Sequence, residues 1–312
     1  MRLNLNNEQL RRLVEREENF EVSAGEVMPE ELLQTVIDEP EITLNWELFP
    51  IKEMMKRGWI KRTTRDIHKQ ASSIMQEFIS ALPADQPMRA FCRRTFKQRT
   101  ESSMDYYALL AWTSRILIRA RTDSSPEKYK AGTVNGDFMR EVAHLSVSDE
   151  GPLLAKSFLE EHGIVLVVEE HLPRTKLDGA AILSSDGNPV VGLTLRYDRL
   201  DNFWFTLMHE LAHVALHLHD SEEAFIDDMT VGSHDDILEK EADRLAAETF
   251  IPKGVWRPSR ARRQKTVKSV VDLANKLNIH PSIIAGRIRY ETGDYQLLND
   301  LVGHGQVRKF FN

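Results

Sequence analysis

The stretch His209-Glu210-Leu211-Ala212-His213 concentrates the chemistry that this chain could perform. On a helix, two histidines four residues apart project from one face and can offer imidazole nitrogens to a single metal ion. Glu210 lies about 100° round the axis from His209, so it flanks that point without ligating it. A zinc ion lowers the pKa of a bound water to about 7, and a carboxylate beside it can take and relay the proton. His209 and His213 are therefore the candidate ligands, Glu210 the candidate general base and Zn2+ the expected cofactor. Phe203, Trp204, Phe205, Leu207, Leu211, Val214 and Leu216 make the surrounding helix apolar, which argues against a plain surface helix decorated with histidines.

Two imidazoles leave a tetrahedral site incomplete, and several residues could supply the third ligand. His219 follows His209 by ten residues, but a continued helix carries it about 240° away from His213. The position where a glycine would turn the chain back is Leu216. His217 stays nearer the face but sits a turn further along; both read as solvated or capping histidines. Glu239 is the better candidate. It shares a face with Asp243 on a second helix, where Ala242 and Ala246 permit close approach. Asp243 would then accept the second N–H of a ligating histidine and fix its tautomer. Glu241, about 200° from Glu239, reads as a surface or supporting residue and stays open as an alternative ligand. For a developing oxyanion, Tyr197, His234 and Arg196 are candidates by nearness in sequence alone. Asp227 and Asp228 read as a solvated loop.

These side chains need a scaffold, and residues 148–257 read as an α+β module. Gly151-Pro152 opens a helix that closes at His162-Gly163, and strand-like runs follow at 164–168, 180–183 and 190–195. Asp186-Gly187 between the last two is a hairpin signal. One helix should run from near Phe203 through His217, and another from the cap Ser233, with Asp236 three residues on, to just before Pro252. The expected sheet is antiparallel, with an edge that could hold an extended peptide.

Residues 51–147 read as helical: Pro50 opens a helix that stops at Gly58, and apolar rows recur through Ile67, Ile74 and Phe78 and through Ala108, Trp112 and Ile116. Residues 258–312 start with a basic link over 257–268 and continue with helices at 270–277 and 281–290. These are spaced like a helix-turn-helix, with Arg287 and Arg289 late in the second; packing is the plainer reading. Residues 1–50 form an acidic appendage, with helix-like stretches at 8–20 and from Met28.

The net charge of −7 hides a basic middle: residues 57–140 carry 16 Lys+Arg against 8 Asp+Glu, and residues 1–56 carry 6 against 13. Within the basic block, Arg89, Arg93, Arg94, Lys97 and Arg99 read first as a solvated helix face, and Arg93, Arg94 and Lys97 are the candidate nucleic-acid contacts. A hydrophobic share of 41% with 29% charged residues excludes a wholly disordered chain. Apolar runs stop at about five residues, far short of the roughly 20 of a membrane helix. The single cysteine, Cys92, cannot close an internal disulfide, and the opening residues lack the apolar core of a secretory signal, so the cytoplasm is the expected location.

Phe205-Thr206-Leu207-Met208-His209-Glu210-Leu211-Ala212-His213, followed by Glu239-Lys240-Glu241-Ala242-Asp243-Arg244-Leu245-Ala246-Ala247 and Ile251-Pro252, resembles the ImmA/IrrE metallopeptidases. Those proteins pair the zinc helix with a downstream E-x-E-A-(N/D)-x-F-A segment that ends near a proline; Leu245 stands at the phenylalanine position. The resemblance covers residues 150–290 and includes the helical pair near the C-terminus. It implies a zincin-like domain in which His209, His213 and Glu239 ligate zinc and Glu210 is the base. It further implies cleavage of a repressor or antitoxin-like protein in prophage, mobile-element or stress control.

Many relatives carry an N-terminal helix-turn-helix and act as HigA-like antitoxins or regulators. Here residues 1–50 are acidic and lack that pattern, so a degenerate head that phosphate would repel is expected. The expected fold is thus α+β and mostly helical: a zincin-like peptidase domain with a small antiparallel sheet, a helical N-terminal region and a C-terminal helical pair, in segments 1–50, 51–147, 148–257 and 258–312. Two functions follow. One is a zinc endopeptidase acting on a protein partner; the other is a non-catalytic HigA-like antitoxin or transcriptional regulator that uses the same fold to bind a toxin, a repressor or DNA. No membrane contact is expected, and the oligomeric state is not set by the sequence.

Overall fold

The computed structural model describes residues 44–62, 64, 66–82, 105–122, 127–175, 177–218, 224–226 and 237–311, and Leu44–Asn312 forms one compact unit. The acidic appendage up to residue 43 lies outside the described residues, as do Arg89, Arg93, Arg94, Lys97, Arg99, His219, Asp227, Asp228 and the cap pair Ser233 and Asp236.

Apolar periodicity sets the first helices. Helix α1 (Ile51–Lys56) has Pro50 at its N-cap and closes before Gly58, whose N–H donates to the Met55 carbonyl. Helix α2 (Ile67–Ile79) buries Ala71, Ile74, Met75 and Phe78, one stripe of a 3.6-residue repeat. Helix α3 (Tyr106–Thr122) buries Leu109, Trp112 and Ile116. Helix α4 (Gly136–His144) is capped by Asn135, whose side chain accepts from the N–H groups of Asp137 and Phe138. Helix α5 (Gly151–Glu160) carries proline in its first turn.

The sheet comes next: β1 (Val165–Val168), β2 (Gly179–Leu183) and β3 (Pro189–Leu193), with β4 (Ala224–Ile226) added after helix α6 (Leu200–Leu216). Strand order is β1-β3-β2-β4. The β2–β3 hairpin forms at Asp186-Gly187, where Gly187 N–H donates to Ser184 O. The sheet is mixed, which corrects the antiparallel expectation: β1 pairs in parallel with β3, Val165 opposite Val190 and Val168 opposite Leu193. The connection from β1 to β2, residues 169–178, is too long for a tight hairpin, and β3 fills the lane it leaves open.

Two glycines set the layers. In an antiparallel pair, residues directly opposite point to the same face, so Gly179 with Leu193 and Gly192 with Ala180 mark opposite faces of the sheet. A Cβ at Gly192 would lie 2.9 Å from Trp112 and 3.2 Å from Ile116, so α3 lies directly on that face. The other face, with Ala181, Val191 and Leu193, joins the core of α6 around Phe203, Trp204, Leu207 and Leu211. The sheet is thus held between α3 and α6.

Part of the basic middle has a structural role. Glu169, just past β1, accepts from Trp59 Nε1 at 3.3 Å and from Arg115 and Arg119 at 3.2 and 3.3 Å, while its carbonyl accepts from Trp112 Nε1 at 3.0 Å. This knot ties the N-terminal helices to the end of β1.

After α6 come α7 (Ile237–Phe250), α8 (Lys253–Trp256), α9 (Arg260–Gln264), α10 (Val267–Leu277) and α11 (Pro281–Thr292). The stretch read as a basic link is therefore mostly helical, and α10 starts three residues early because Thr266 and Ser269 form a capping box. Arg287 and Arg289 do not face solvent. Arg287 lies 4.6 Å over Trp256 and donates to the carbonyls of Ala247 and Ile251; Arg289 is only 3% exposed. The tail returns to the start of α6, where Leu200 N–H donates to Val302 O and satisfies one of the donors that open a helix. Among the described residues no helix is long and apolar enough to cross a membrane.

Candidate metal centre

Helix α6 is apolar on most sides because it lies between the sheet and α7, and its two polar rows are the site. His209, His213 and His217 repeat every four residues toward α7, and Thr206 and Glu210 repeat toward β2. Helix α7 meets α6 through the buried small residues Ala242 and Ala246. The two helices run antiparallel: as α7 advances from Glu239 through Asp243 to Phe250, its partners on α6 retreat from His213 through His209 to Phe205.

Three ligand-type atoms converge between them. The Nε2 atoms of His209 and His213 are 3.0 Å apart, and the Glu239 carboxylate lies 3.1 Å from the first and 3.5 Å from the second. All lie within 4.8 Å of one another. Zinc bonds of about 2.0–2.2 Å ask for little further approach, and two imidazoles with one carboxylate are an ordinary zinc donor set. Burial pushes the Glu239 carboxyl up, but hydrogen bonding to His209 and His213 outweighs it and holds the group well below the usual carboxylate range. Burial also lowers His213, against the opposing pull of Glu239. An ionised carboxylate and a neutral imidazole are the states in which these groups offer lone pairs to an ion, so the residues fit a metal.

The surroundings fix the rings. His209 turns Nε2 to the cluster, so its Nδ1–H donates to Asp243 Oδ1 at 2.9 Å, the pairing expected from sequence. Glu241 is not at the convergence point; its carboxylate lies 3.4 Å from His217 Nε2. His217, read from sequence as solvated or capping, does terminate α6, but it is only 8% exposed and its Nδ1 lies 3.0 Å from His213 Nδ1. The signal for it was present as a third histidine at the i+8 position, but its burial depends on the helix packed alongside.

Glu210 is fully buried against the first residue of β2. A Cβ at Gly179 would lie 3.0 Å from Glu210 Cδ and 2.9 Å from Thr206 Cγ2, so only glycine leaves room for that carboxylate. Sequence reading gave no weight to Gly179. The preceding residue, Asp178, is buried too, and desolvation raises its carboxyl.

The oxyanion candidates are not brought to this cluster. Tyr197 is half-exposed in the β3–α6 loop, with the guanidinium groups of Arg196 and Arg199 each 5.4 Å from its ring. The helix start after that loop lies about 14 Å along the axis from His209. His234 lies outside the described residues.

A zinc-type ligand cluster on two packed helices, with a glutamate following the first histidine and a small sheet alongside, defines a metallopeptidase-type domain. Residues 159–289 match the family model of the IrrE N-terminal-like domain, Peptidase_M78, and this segment belongs to the ImmA/IrrE family. The match runs from the end of α5 through the sheet and the metal helices into α11. Among curated proteins none matches the chain.

Proposed function

We propose that this chain is a zinc-dependent endopeptidase that cleaves a regulatory protein of the repressor or antitoxin type. The convergence of His209, His213 and Glu239, with Glu210 buried beside them, is the observation that supports it most. The ion supplies Lewis acidity and a water acidic enough to lose its proton near neutral pH. The chain supplies the rest. Glu210 takes that proton and returns it to the leaving amine. Asp243 holds His209 with Nε2 toward the cluster. Gly179 lets the carboxylate of Glu210 lie against the strand. The regulatory substrate class is an inference from the family alone.

The test is metal content followed by a trap. The purified wild-type chain and Glu210→Gln should each bind one zinc ion. In cells expressing either form, new protein N-termini generated by the wild type should be missing with Glu210→Gln. Identical N-termini from both forms would defeat the peptidase reading and leave a non-catalytic regulator that uses the fold to bind protein or DNA.

A further inference from the structure

We propose that His217 and Glu241 form a positioning chain that decides which nitrogen of His213 faces the metal site. The inference rests on His209, His213 and Glu239 being zinc ligands.

His213 Nδ1 and His217 Nδ1 face each other at 3.0 Å. Between two ring nitrogens one must donate and the other accept, and a neutral imidazole carries a single N–H. The order is set at the far end. His217 Nε2 faces Glu241 Oε2 at 3.4 Å, and a carboxylate only accepts. The proton of His217 therefore belongs on Nε2, its Nδ1 is left as an acceptor, and His213 must donate from Nδ1. The Nε2 lone pair of His213 then points at Glu239 and His209, where an ion would sit. The reverse order would place a proton on His213 Nε2, on the metal side, and turn a lone pair of His217 toward Glu241. With His217 only 8% exposed, bulk water does little to scramble this order.

The two ligating rings are thus held by unlike devices. His209 donates directly to a carboxylate, Asp243, whose side chain is 64% exposed. His213 donates to a second imidazole, which passes the demand on to Glu241. Partners of this kind orient a ligating ring and raise its basicity. His217 and Glu241 act only through His213 and are positioning residues.

The experiment measures the zinc affinity of the full chain by competition with a fluorescent chelator, together with the apo-state tautomer of His213 from 15N NMR. His217→Phe should weaken zinc binding about 10–100-fold. His217→Gln, whose amide oxygen can accept from Nδ1–H, should recover most of the loss. Glu241→Ala, on a partly exposed side chain that the fold tolerates, should weaken binding less and shift the His213 tautomer away from Nδ1–H. The double variant His217→Phe with Glu241→Ala should bind no more weakly than His217→Phe alone, because Glu241 works through His217.

Wild-type affinity in both His217→Phe and Glu241→Ala, or additive losses in the double variant, would overturn the chain while leaving the zinc site standing. A wild-type protein that binds no zinc would overturn the site itself, and this inference with it.

Discussion

The two ends of α7 both bury ionisable side chains, and they dispose of them in opposite ways. At its C-terminal end, the guanidinium of Arg287 stacks on Trp256, donates to the Ala247 and Ile251 carbonyls and pairs with Glu291 at 3.1 Å. Its donors meet fixed acceptors, and a cation there also suits the negative end of the helix dipole. At the N-terminal end, Glu239 and two imidazoles turn acceptor-type atoms toward one point. The carboxylate suits the positive end of the dipole, but the group as a whole gathers lone pairs that no protein cation satisfies among the contacts named. Burial of charge alone therefore does not mark a functional site on this helix. What marks it is convergence of like-acting atoms.

Removing one of the converging atoms is the largest way to break this contrast. Glu239→Ala should weaken zinc binding by more than the about 10–100-fold that loss of a supporting partner produces, measured by chelator competition. Arg287→Ala should leave that affinity unchanged. Equal losses in both variants would mean that the two ends are not separable.

Gly179→Ala probes the sheet side of the same site. The added methyl meets the Glu210 carboxylate and Thr206 in a packed interior, and overpacking of this kind costs up to about 3 kcal/mol. A lower melting temperature with zinc affinity retained, and loss of the cleavage products described above, is the expected pattern. Wild-type stability and products would show that Glu210 has room to move.

At the far end, Arg287→Ala removes hydrogen bonds to two carbonyls and the stacking on Trp256, for an expected loss of about 2 kcal/mol in denaturant unfolding. The loss should be the same in zinc-loaded and chelated protein. A loss confined to one of those states would join the two ends energetically.

How much of this was legible beforehand follows from which interactions are local. Helical spacing alone placed His209 with His213 on one face and Glu239 with Asp243 on another, and the structure brings those faces together. The hairpin at Asp186-Gly187 was legible because turn chemistry is local. The place of β1 was not, since pairing with β3 is decided across the sheet rather than within ten residues. His217 was misread as solvated because burial of a helix end depends on its neighbour. Arg287 and Arg289 read as exposed enough to reach a nucleic acid, since sequence reports charge and not direction. The start of α10 was missed because its box uses serine at the third position, where glutamate or glutamine is the usual sign.

That box offers the smallest and cleanest contrast with the metal end. Thr266 Oγ1 accepts from Ser269 N–H at 3.3 Å and Ser269 Oγ accepts from Thr266 N–H at 3.2 Å, so two donors at the start of α10 are satisfied reciprocally. The helix then delivers Val270, Leu273 and Ala274 to the same core that holds Phe203 and Leu207 of α6. Thr266→Ala should destabilise the protein by about 1 kcal/mol, a fall in melting temperature of about 2–4 °C for a unit of this size. Zinc affinity should not move, because the cap completes its own hydrogen bonds and lends none to the histidines. A parallel fall in zinc affinity would instead show that α10 holds the metal helix in position through the shared core, and the ends of α7 would then differ in degree rather than in kind.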